Sequence, residues 1–353
     1  MKTLRLAALG AALGISLLSS CSDDSSGSDT GTDPGTTDCS SATGGAQVVC
    51  LANAFSATLS SSQQSTVQLD LNATNAARWS NLPVELVPRN GIALGDLNET
   101  QLAAALALAQ AGLSAAGYST FQSIRAADTY LSQYASGYGE GLYYIAFLGA
   151  PSTTSPWILQ MGGHHYAVNV TYNGGSLVNV TPNFVGVEPQ TFSLNGTTYT
   201  PLSPRRDAMY SMINSLDATQ RTAAQLASSF DDVLVGPGKD GAFPAQEGVI
   251  VSTLTADQQA LVKAAIEQWV KDAPDSLANA FLADYESDAS LAQTRVAWAT
   301  STDSTVVGSY LRIDGPRVWI EFACQGGIVF RDQIHFHTIW RDKEEDYGAV
   351  LGG

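Results

Sequence analysis

Histidine and cysteine are both scarce in this chain, with four of each among 353 residues. Basic residues are also few: 17 lysines and arginines stand against 33 aspartates and glutamates, a formal net charge of −16 at pH 7. Such an acidic chain repels phosphate backbones, so the composition argues against nucleic acid as a partner. The chain also lacks a Walker-type phosphate loop, a Rossmann glycine pattern and a Gly-x-Ser-x-Gly nucleophile motif, the signatures of nucleotide binding and of serine hydrolases.

The N-terminus carries the pattern of an export signal. Two basic residues precede an apolar run at residues 6–18, which is too short for a permanent transmembrane helix. Small residues directly precede Cys21, with Leu18 three positions upstream, as in a bacterial lipobox. We therefore expect residues 1–20 to be a lipoprotein signal peptide and Cys21 to be lipidated, which would anchor the chain to a membrane of the bacterial cell envelope.

The next segment differs in composition from the rest. Residues 21–46 are mostly Ser, Gly, Thr and Asp, which predicts a disordered tether, and residues 47–353 are predicted to form a single domain. Export permits disulfides, so Cys39 and Cys50 either close a small loop or remain unpaired. Cys324 is predicted to be a buried strand residue rather than a nucleophile.

Helical and strand patterns occupy separate parts of the domain. Segregation of helices from antiparallel strands indicates an α+β fold rather than a parallel α/β sheet. Both histidine-bearing segments show strand patterns, so we expect an antiparallel β-sheet core that carries both histidine clusters. The predicted helices are 97–117, 119–134, one from Asp217 to about 230, one from Thr255 to about 271, and 274–291; the predicted strands lie within 142–200 and 295–340.

All four histidines fall in two short clusters. Alternate side chains of a strand share a face, so His335 and His337 point the same way. Only one of the adjacent pair, His164 and His165, can join them on a regular strand. The polar row that continues from His165 to Asn169 favours His165, although a bulge before the pair would reverse this preference.

Imidazole is a common ligand of transition metals. Three neutral imidazoles with an open fourth position form the usual catalytic zinc site, in which the pKa of the bound water falls to about 7. The four histidines are therefore the candidate ligands of a divalent transition metal, zinc ahead of copper or iron, and we expect His335, His337 and one of His164 and His165 to bind it. The alternatives are a metal-free catalytic pocket and purely structural histidines.

Charged residues near the second cluster are the candidate catalytic groups. Glu321, on a neighbouring predicted strand, is either a fourth ligand or general base, or a carboxylate at the rim of the sheet. Asp342 can orient a liganding imidazole, and Arg341 can bind an anionic substrate with its planar fork. Tyr347 belongs to the same segment, which would otherwise be a solvated charge run.

Several motifs carry a family resemblance when they occur together. They are Arg78-Trp79-Ser80-Asn81-Leu82-Pro83, Arg89-Asn90-Gly91-Ile92, Gly149-Ala150-Pro151-Ser152, Gly163-His164-His165, His335-Phe336-His337-Thr338-Ile339, Arg341-Asp342 and Asp346-Tyr347-Gly348. Over residues 51–348 the chain resembles the bacterial domain-of-unknown-function 3500 family, which has exported members. The resemblance implies no activity, because none is established for the family. It does imply that the histidines and the Arg341-to-Tyr347 segment are the family's distinguishing positions.

Two classes of function are consistent with these patterns. The first is an envelope-tethered metalloenzyme, with hydrolysis by a metal-activated water ahead of oxidative chemistry and a small-molecule or anionic substrate. The alternative is a non-catalytic periplasmic or surface protein that binds a metal or a small ligand. Two clusters more than about 10 Å apart would rule out a shared mononuclear site, because metal–ligand bonds are only ~2 Å long.

Overall fold

The computed structural model describes residues 38–351, which contain ten α-helices. The α-helices are α1 (Gly44–Thr58), α2 (Ser61–Val67), α3 (Ala73–Ala76), α4 (Glu99–Gly112), α5 (Ala115–Leu131), α6 (Ser203–Asn214), α7 (Ala218–Ala224), α8 (Ala256–Val270), α9 (Asp275–Tyr285) and α10 (Asp288–Leu291). Short 3₁₀ helices occupy Leu94–Asp96, Glu140–Leu142, Val251–Thr253 and Asp346–Ala349. None of the helices in this range combines the length and apolar character needed to span a bilayer.

Fourteen strands lie in the same range. They are β1 (Gln68–Leu69), β2 (Ile92–Ala93), β3 (Tyr144–Leu148), β4 (Trp157–Gly163), β5 (Tyr166–Asn173), β6 (Ser176–Asn179), β7 (Asn183–Val187), β8 (Phe192–Leu194), β9 (Thr197–Tyr199), β10 (Val249–Ile250), β11 (Arg295–Ala299), β12 (Tyr310–Asp314), β13 (Val318–Gly326) and β14 (Ile334–Asp342).

Twelve of these strands form one sheet. Its order is β1-β3-β4-β5-β7-β14-β13-β12-β11-β10, with β2 paired to β3 and β6 paired to β5, while β8 and β9 form a separate hairpin. Strand β1 runs parallel to β3, and the other pairs of the sheet are antiparallel. The α+β prediction is confirmed. Because β7 lies between β5 and β14, the two segments that contain the histidines lie two strands apart.

Three predicted helix starts are confirmed by reciprocal capping boxes. The side chains of Asn98, Asp217 and Thr255 each accept a hydrogen bond from the backbone N–H of a glutamine three residues later. The side chain of that glutamine in turn accepts a hydrogen bond from the backbone N–H of the cap residue. The helix predicted over 97–117 ends at Gly112, because Ser114 caps the next helix through the backbone N–H of Gly117.

The helix that begins after Asp217 is shorter than predicted. It ends at Ala224 rather than near residue 230. The chain pairs with the sheet at this point. Gln225 forms a parallel β-bridge with Trp298, and the N–H of Leu226 donates to the carbonyl of Trp298 at 2.8 Å. Residues 226–247 then run without a regular element and are called the covering loop below.

The two faces of the sheet are covered differently. One face packs against the helices and contains the large apolar core, with residues such as Phe55, Ile124, Val170 and Trp269. The opposite face packs against irregular segments, with a smaller cluster that includes Trp79, Phe184 and Val233. Strand alternation therefore decides whether a side chain meets a helix or a loop.

A disulfide joins Cys39 and Cys50 at the start of the described region. Of the two alternatives that the sequence allowed for these cysteines, the structure shows the paired one. Cys39 is buried and α1 begins at Gly44, so residues 44–46, predicted to be tether, belong to the first helix. Cys324 is buried on β13, as predicted. The predicted signal peptide, the predicted lipidation site at Cys21 and residues 22–37 lie outside the described residues.

Candidate metal centre

The first histidine pair lies in a turn rather than on a strand. Gly163 pairs with Tyr166 at the end of the β4–β5 hairpin, so His164 and His165 form its two-residue turn. The backbone of His165 has a positive φ of 59°, in the left-handed region that few non-glycine residues adopt. The strand prediction for this pair is thus incorrect, and strand alternation does not determine which of the two histidines faces the site.

The second pair lies on β14, as predicted. His335 and His337 alternate on this strand, so their side chains share the face that packs against irregular segments. Their Nε2 atoms are 3.2 Å apart. The same-face prediction for this pair is therefore confirmed.

The sheet brings one histidine of the first pair to the second pair. Nε2 of His165 lies 3.1 Å from Nε2 of His337. His165, His335 and His337 each offer one ring nitrogen, and these three atoms lie within 4.8 Å of one another. These buried residues, called the histidine cluster below, could hold one metal ion. Gly186 makes this approach possible, because a Cβ there would lie 2.9 Å from the rings of both His165 and His337.

A carboxylate orients one member of the histidine cluster. Nδ1 of His337 lies 2.8 Å from Oδ1 of Asp232, which belongs to the covering loop. Since a carboxylate only accepts, His337 donates its Nδ1–H, and in the neutral ring this leaves Nε2, which faces the cluster, as the ligand atom. Burial raises the pKa of Asp232, but its interaction with His337 and hydrogen bonds from Val233 and Gln325 together outweigh burial, so the pKa lies below its ordinary value.

The other two members are held in their neutral forms. Burial, reinforced by the neighbouring histidines, places the pKa of His165 well below its ordinary value. Burial and the proximity of His337 lower the pKa of His335 to about 3. Neutral imidazole is the form that binds metals, so both side chains are ready to act as ligands near pH 7.

His164 points to a different partner. Its Nδ1 lies 2.7 Å from Oδ1 of buried Asp128, and its ring stacks on that of His165 with centroids 3.7 Å apart. Tyr143 donates to the carbonyl oxygen of His164 at 2.7 Å, and Tyr138 meets its ring edge-on. Burial raises the pKa of Asp128, against the effect of His164. The structure therefore places His164 beside the cluster rather than in it.

Glu321 is fully buried and holds the covering loop. Its oxygens accept from the backbone N–H groups of Leu234 and Val235, from Tyr310 and from the indole of Trp319. Burial raises its pKa, although these four donors oppose the shift. With its acceptor sites occupied, Glu321 is a loop anchor rather than a rim carboxylate, and it is not grouped with the histidine cluster.

Arg341 also holds the covering loop. Its guanidinium donates to the carbonyls of Val235 and Gly236 and to the carboxylates of Asp240 and Asp346, and its side chain is completely buried. Burial opposes its charge, but the two carboxylates outweigh burial and raise its pKa. A guanidinium so engaged is not available to grip an anionic substrate.

Asp342 and Tyr347 also lie away from the histidine cluster. Asp342 alternates onto the helix-covered face, where it accepts from Tyr285 at 2.9 Å and from Arg317 at 2.6 Å. The hydroxyl of Tyr347 accepts from the indole of Trp79 at 2.9 Å and contacts the carboxylate of Asp240 at 3.2 Å. The Arg341-to-Tyr347 segment is thus mostly an internal network, not a solvated charge run.

Three residues at the site were missed by sequence reasoning: Asp128, Gly186 and Asp232. Asp232 lies in a stretch predicted to follow a helix and carries no motif, and its role depends on the path of the covering loop. Asp128 lies in a helix more than 30 residues before its partner His164. A glycine inside a β-branched strand, as in Val185-Gly186-Val187, is a weak signal of close approach by neighbouring groups.

The fold and site together define an α+β protein with a large, mostly antiparallel sheet and a buried three-histidine group able to bind a metal ion. The chain belongs to the family described as proteins of unknown function, DUF3500, whose model matches residues 41–349. No curated protein and no solved structure shows a significant match.

Proposed function

We propose that this chain binds one divalent transition metal ion through Nε2 of His165, His335 and His337. The convergence of these nitrogen atoms carries the proposal, with separations of 3.1 and 3.2 Å from His337 to its two partners. Tetrahedral zinc with Zn–N bonds of about 2.0–2.1 Å spaces its ligand atoms about 3.3 Å apart, which is close to both separations from His337. The ligand atoms of His165 and His335 lie within 4.8 Å of each other, so all three can reach one ion. Zinc is the first choice, ahead of copper or iron, which also accept imidazole.

We further propose that the metal serves catalysis, with hydrolysis ahead of oxidative chemistry. Bound by three imidazoles, such an ion supplies an activated water. His164 is placed to accept a proton nearby, because its ring stacks on His165 and its Nδ1 is held by buried Asp128. A carboxylate behind an imidazole orients the ring so that the opposite nitrogen, here Nε2, can act as a base.

A second function, metal sequestration or delivery without turnover, is favoured by a different observation. The residues of the histidine cluster are only 2–5% exposed. Storage sites tend to enclose their ion, whereas a catalytic site keeps one position open to substrate.

Metal analysis of untagged protein tests the binding proposal. We expect one equivalent of metal in the wild-type protein and its loss in H165A, H335A and H337A. H164A is the matched control and should retain the metal, since it removes an adjacent imidazole outside the cluster. Near-UV circular dichroism verifies that each variant is folded. Folded wild-type protein that neither contains nor takes up zinc, copper or iron would refute the site.

Turnover by the metal-loaded protein separates catalysis from sequestration. Activity toward small ester, amide and phosphate probes should exceed that of chelator-treated protein. H164A should keep its metal and lose this activity. If loaded wild-type protein is no faster than metal-free protein on the probes, sequestration becomes the favoured function.

We propose the bacterial cell envelope as the location, with Cys21 as the lipid-bearing residue. The support is the charged and apolar start of the chain, followed by the lipobox pattern. Cys21→Ser should move the protein from the membrane fraction to the soluble fraction of cells that express it. Continued membrane association of this variant would overturn the anchor.

A further inference from the structure

Arg89 ties a surface loop to the turn that carries the first histidine pair. Its Nη2 donates to the carbonyl oxygens of Ser80 at 2.8 Å and of Gly163 at 3.0 Å. The guanidinium also donates to the carbonyls of Val87 and Leu82. One side chain thus gathers three carbonyls of its own loop and one from the end of β4, directly before His164.

The same loop holds the backbone of His165. The N–H of His165 donates to the carbonyl of buried Asn81 at 3.1 Å, and its own carbonyl accepts from the N–H of Gly186 at 2.7 Å. His165 has a positive φ of 59°, a conformation that is unfavourable for a residue other than glycine. Contacts on both sides of the residue are needed to maintain this conformation, and Arg89 fixes the loop that supplies one of them.

We infer that Arg89 is a positioning residue for the metal ligand His165. The inference rests on the proposed metal site. Arg89 holds Ser80 and Gly163 in one clamp, which sets the position of Asn81 relative to the turn. Asn81 in turn holds His165 with its Nε2 directed at the cluster.

The geometry of this clamp requires a guanidinium rather than only a positive charge. Every hydrogen bond from Arg89 goes to a backbone carbonyl, and within residues 38–351 no carboxylate forms an ion pair with it. Nη1 serves Val87 while Nη2 serves the other three carbonyls, and the single ammonium nitrogen of lysine cannot occupy both positions. Burial lowers the pKa of Arg89 to about 10, against the effects of Tyr144 and Tyr143, so the side chain remains charged at neutral pH.

The test compares Arg89→Lys and Arg89→Gln with the wild-type protein. Zinc affinity is measured by competition titration, and the geometry of the site is followed by the visible absorption of the Co²⁺-substituted protein. We expect both variants to bind zinc 10- to 100-fold more weakly, as is typical when a group that orients a ligand is removed, and to show an altered Co²⁺ spectrum. Arg78→Gln is the matched control, since Arg78 is exposed in the same loop, and it should match the wild type in both measurements.

The outcomes separate this inference from the proposed function. Wild-type protein that binds neither metal would refute the metal site itself. Wild-type binding together with unchanged affinity and spectrum in folded Arg89→Lys would overturn the role of Arg89 and leave the metal site standing. If Arg89→Gln does not fold, Arg89→Lys decides the question, because it retains the charge and most of the apolar stem. Weak binding by Arg78→Gln as well would show that loop charge, not the clamp, controls affinity, and would also overturn the inference.

Discussion

Gly186 lies on β7 directly opposite His337 in the sheet. A Cβ at this position would lie 2.9 Å from Cδ2 of His165 and 2.9 Å from Cδ2 of His337, closer than carbon atoms normally approach. The absence of a side chain at residue 186 is therefore part of what allows the imidazoles of the two chain segments to converge.

We predict that Gly186→Ala weakens zinc binding at least about tenfold, because the added methyl group pushes His165 and His337 apart. Overpacking of this kind also costs about 1–3 kcal/mol in the free energy of unfolding. Zinc titration and urea denaturation measure the two effects.

Gly326→Ala is the control for this change, since a Cβ at Gly326, at the end of β13, meets no atom within 4 Å. Equal zinc affinity in the Gly186→Ala and Gly326→Ala variants would show that the histidine rings are not in steric contact with residue 186.

At the scale of elements, the covering loop links the sheet to the histidine cluster. It carries Asp232 to His337, and it is fixed just beyond that residue by Glu321 and Arg341. Both anchors project from the same sheet face as the histidines, since Arg341 follows His337 on β14 at an even spacing and Glu321 pairs with Ile339. The charged side chains near the cluster thus act on it through the loop.

We predict that Glu321→Gln destabilises this loop. Four donors converge on the two carboxylate oxygens, and glutamine replaces one oxygen with an NH₂ group that faces two of those donors. Each buried donor left unsatisfied costs about 1–3 kcal/mol. Urea denaturation should show a loss in this range, and hydrogen exchange at the amides of Leu234 and Val235 should become faster.

Asp231→Asn serves as the comparison for Glu321→Gln, because Asp231 is an exposed residue of the same loop. Its free energy of unfolding should stay within about 0.5 kcal/mol of the wild type. If Glu321→Gln is equally neutral, the carboxylate does not anchor the covering loop.

At the scale of the whole molecule, the histidine cluster joins distant parts of one sheet. Its members come from the β4–β5 turn and from β14, 172 residues apart between His165 and His337. An ion held by all three imidazoles would cross-link these segments only in the folded chain. Metal binding is therefore coupled to the stability of the fold.

We predict that zinc raises the stability of the wild-type protein. A ligand that binds only the folded state adds about 2.7 kcal/mol at a free concentration one hundred times its Kd. Thermal denaturation with and without zinc should show a rise in Tm of several degrees, which H337A should lack and H164A should retain. A zinc-dependent rise of the same size in H337A would place the stabilising ion at another site.

The sequence by itself determined the features that depend on local periodicity and local hydrogen bonding. Cap residues located helix starts at Asn98, Asp217 and Thr255, and strand alternation placed His335 and His337 on one face. The segregation of helical and strand patterns gave the α+β class. These signals are readable because the interactions concerned join residues two to four positions apart.

Only the tertiary structure decided which groups meet at the site. His165 joins the cluster because it lies in a tight hairpin turn and not on a strand. Asp232 reaches His337 because α7 ends at Ala224 and the covering loop then crosses the sheet. Glu321 and Arg341 looked catalytic in sequence because they are charged and close to the histidines. Their roles as loop anchors depend on partners about 86 to 106 residues away. Such pairings are set by the packing of loops on a sheet face, which no local pattern records.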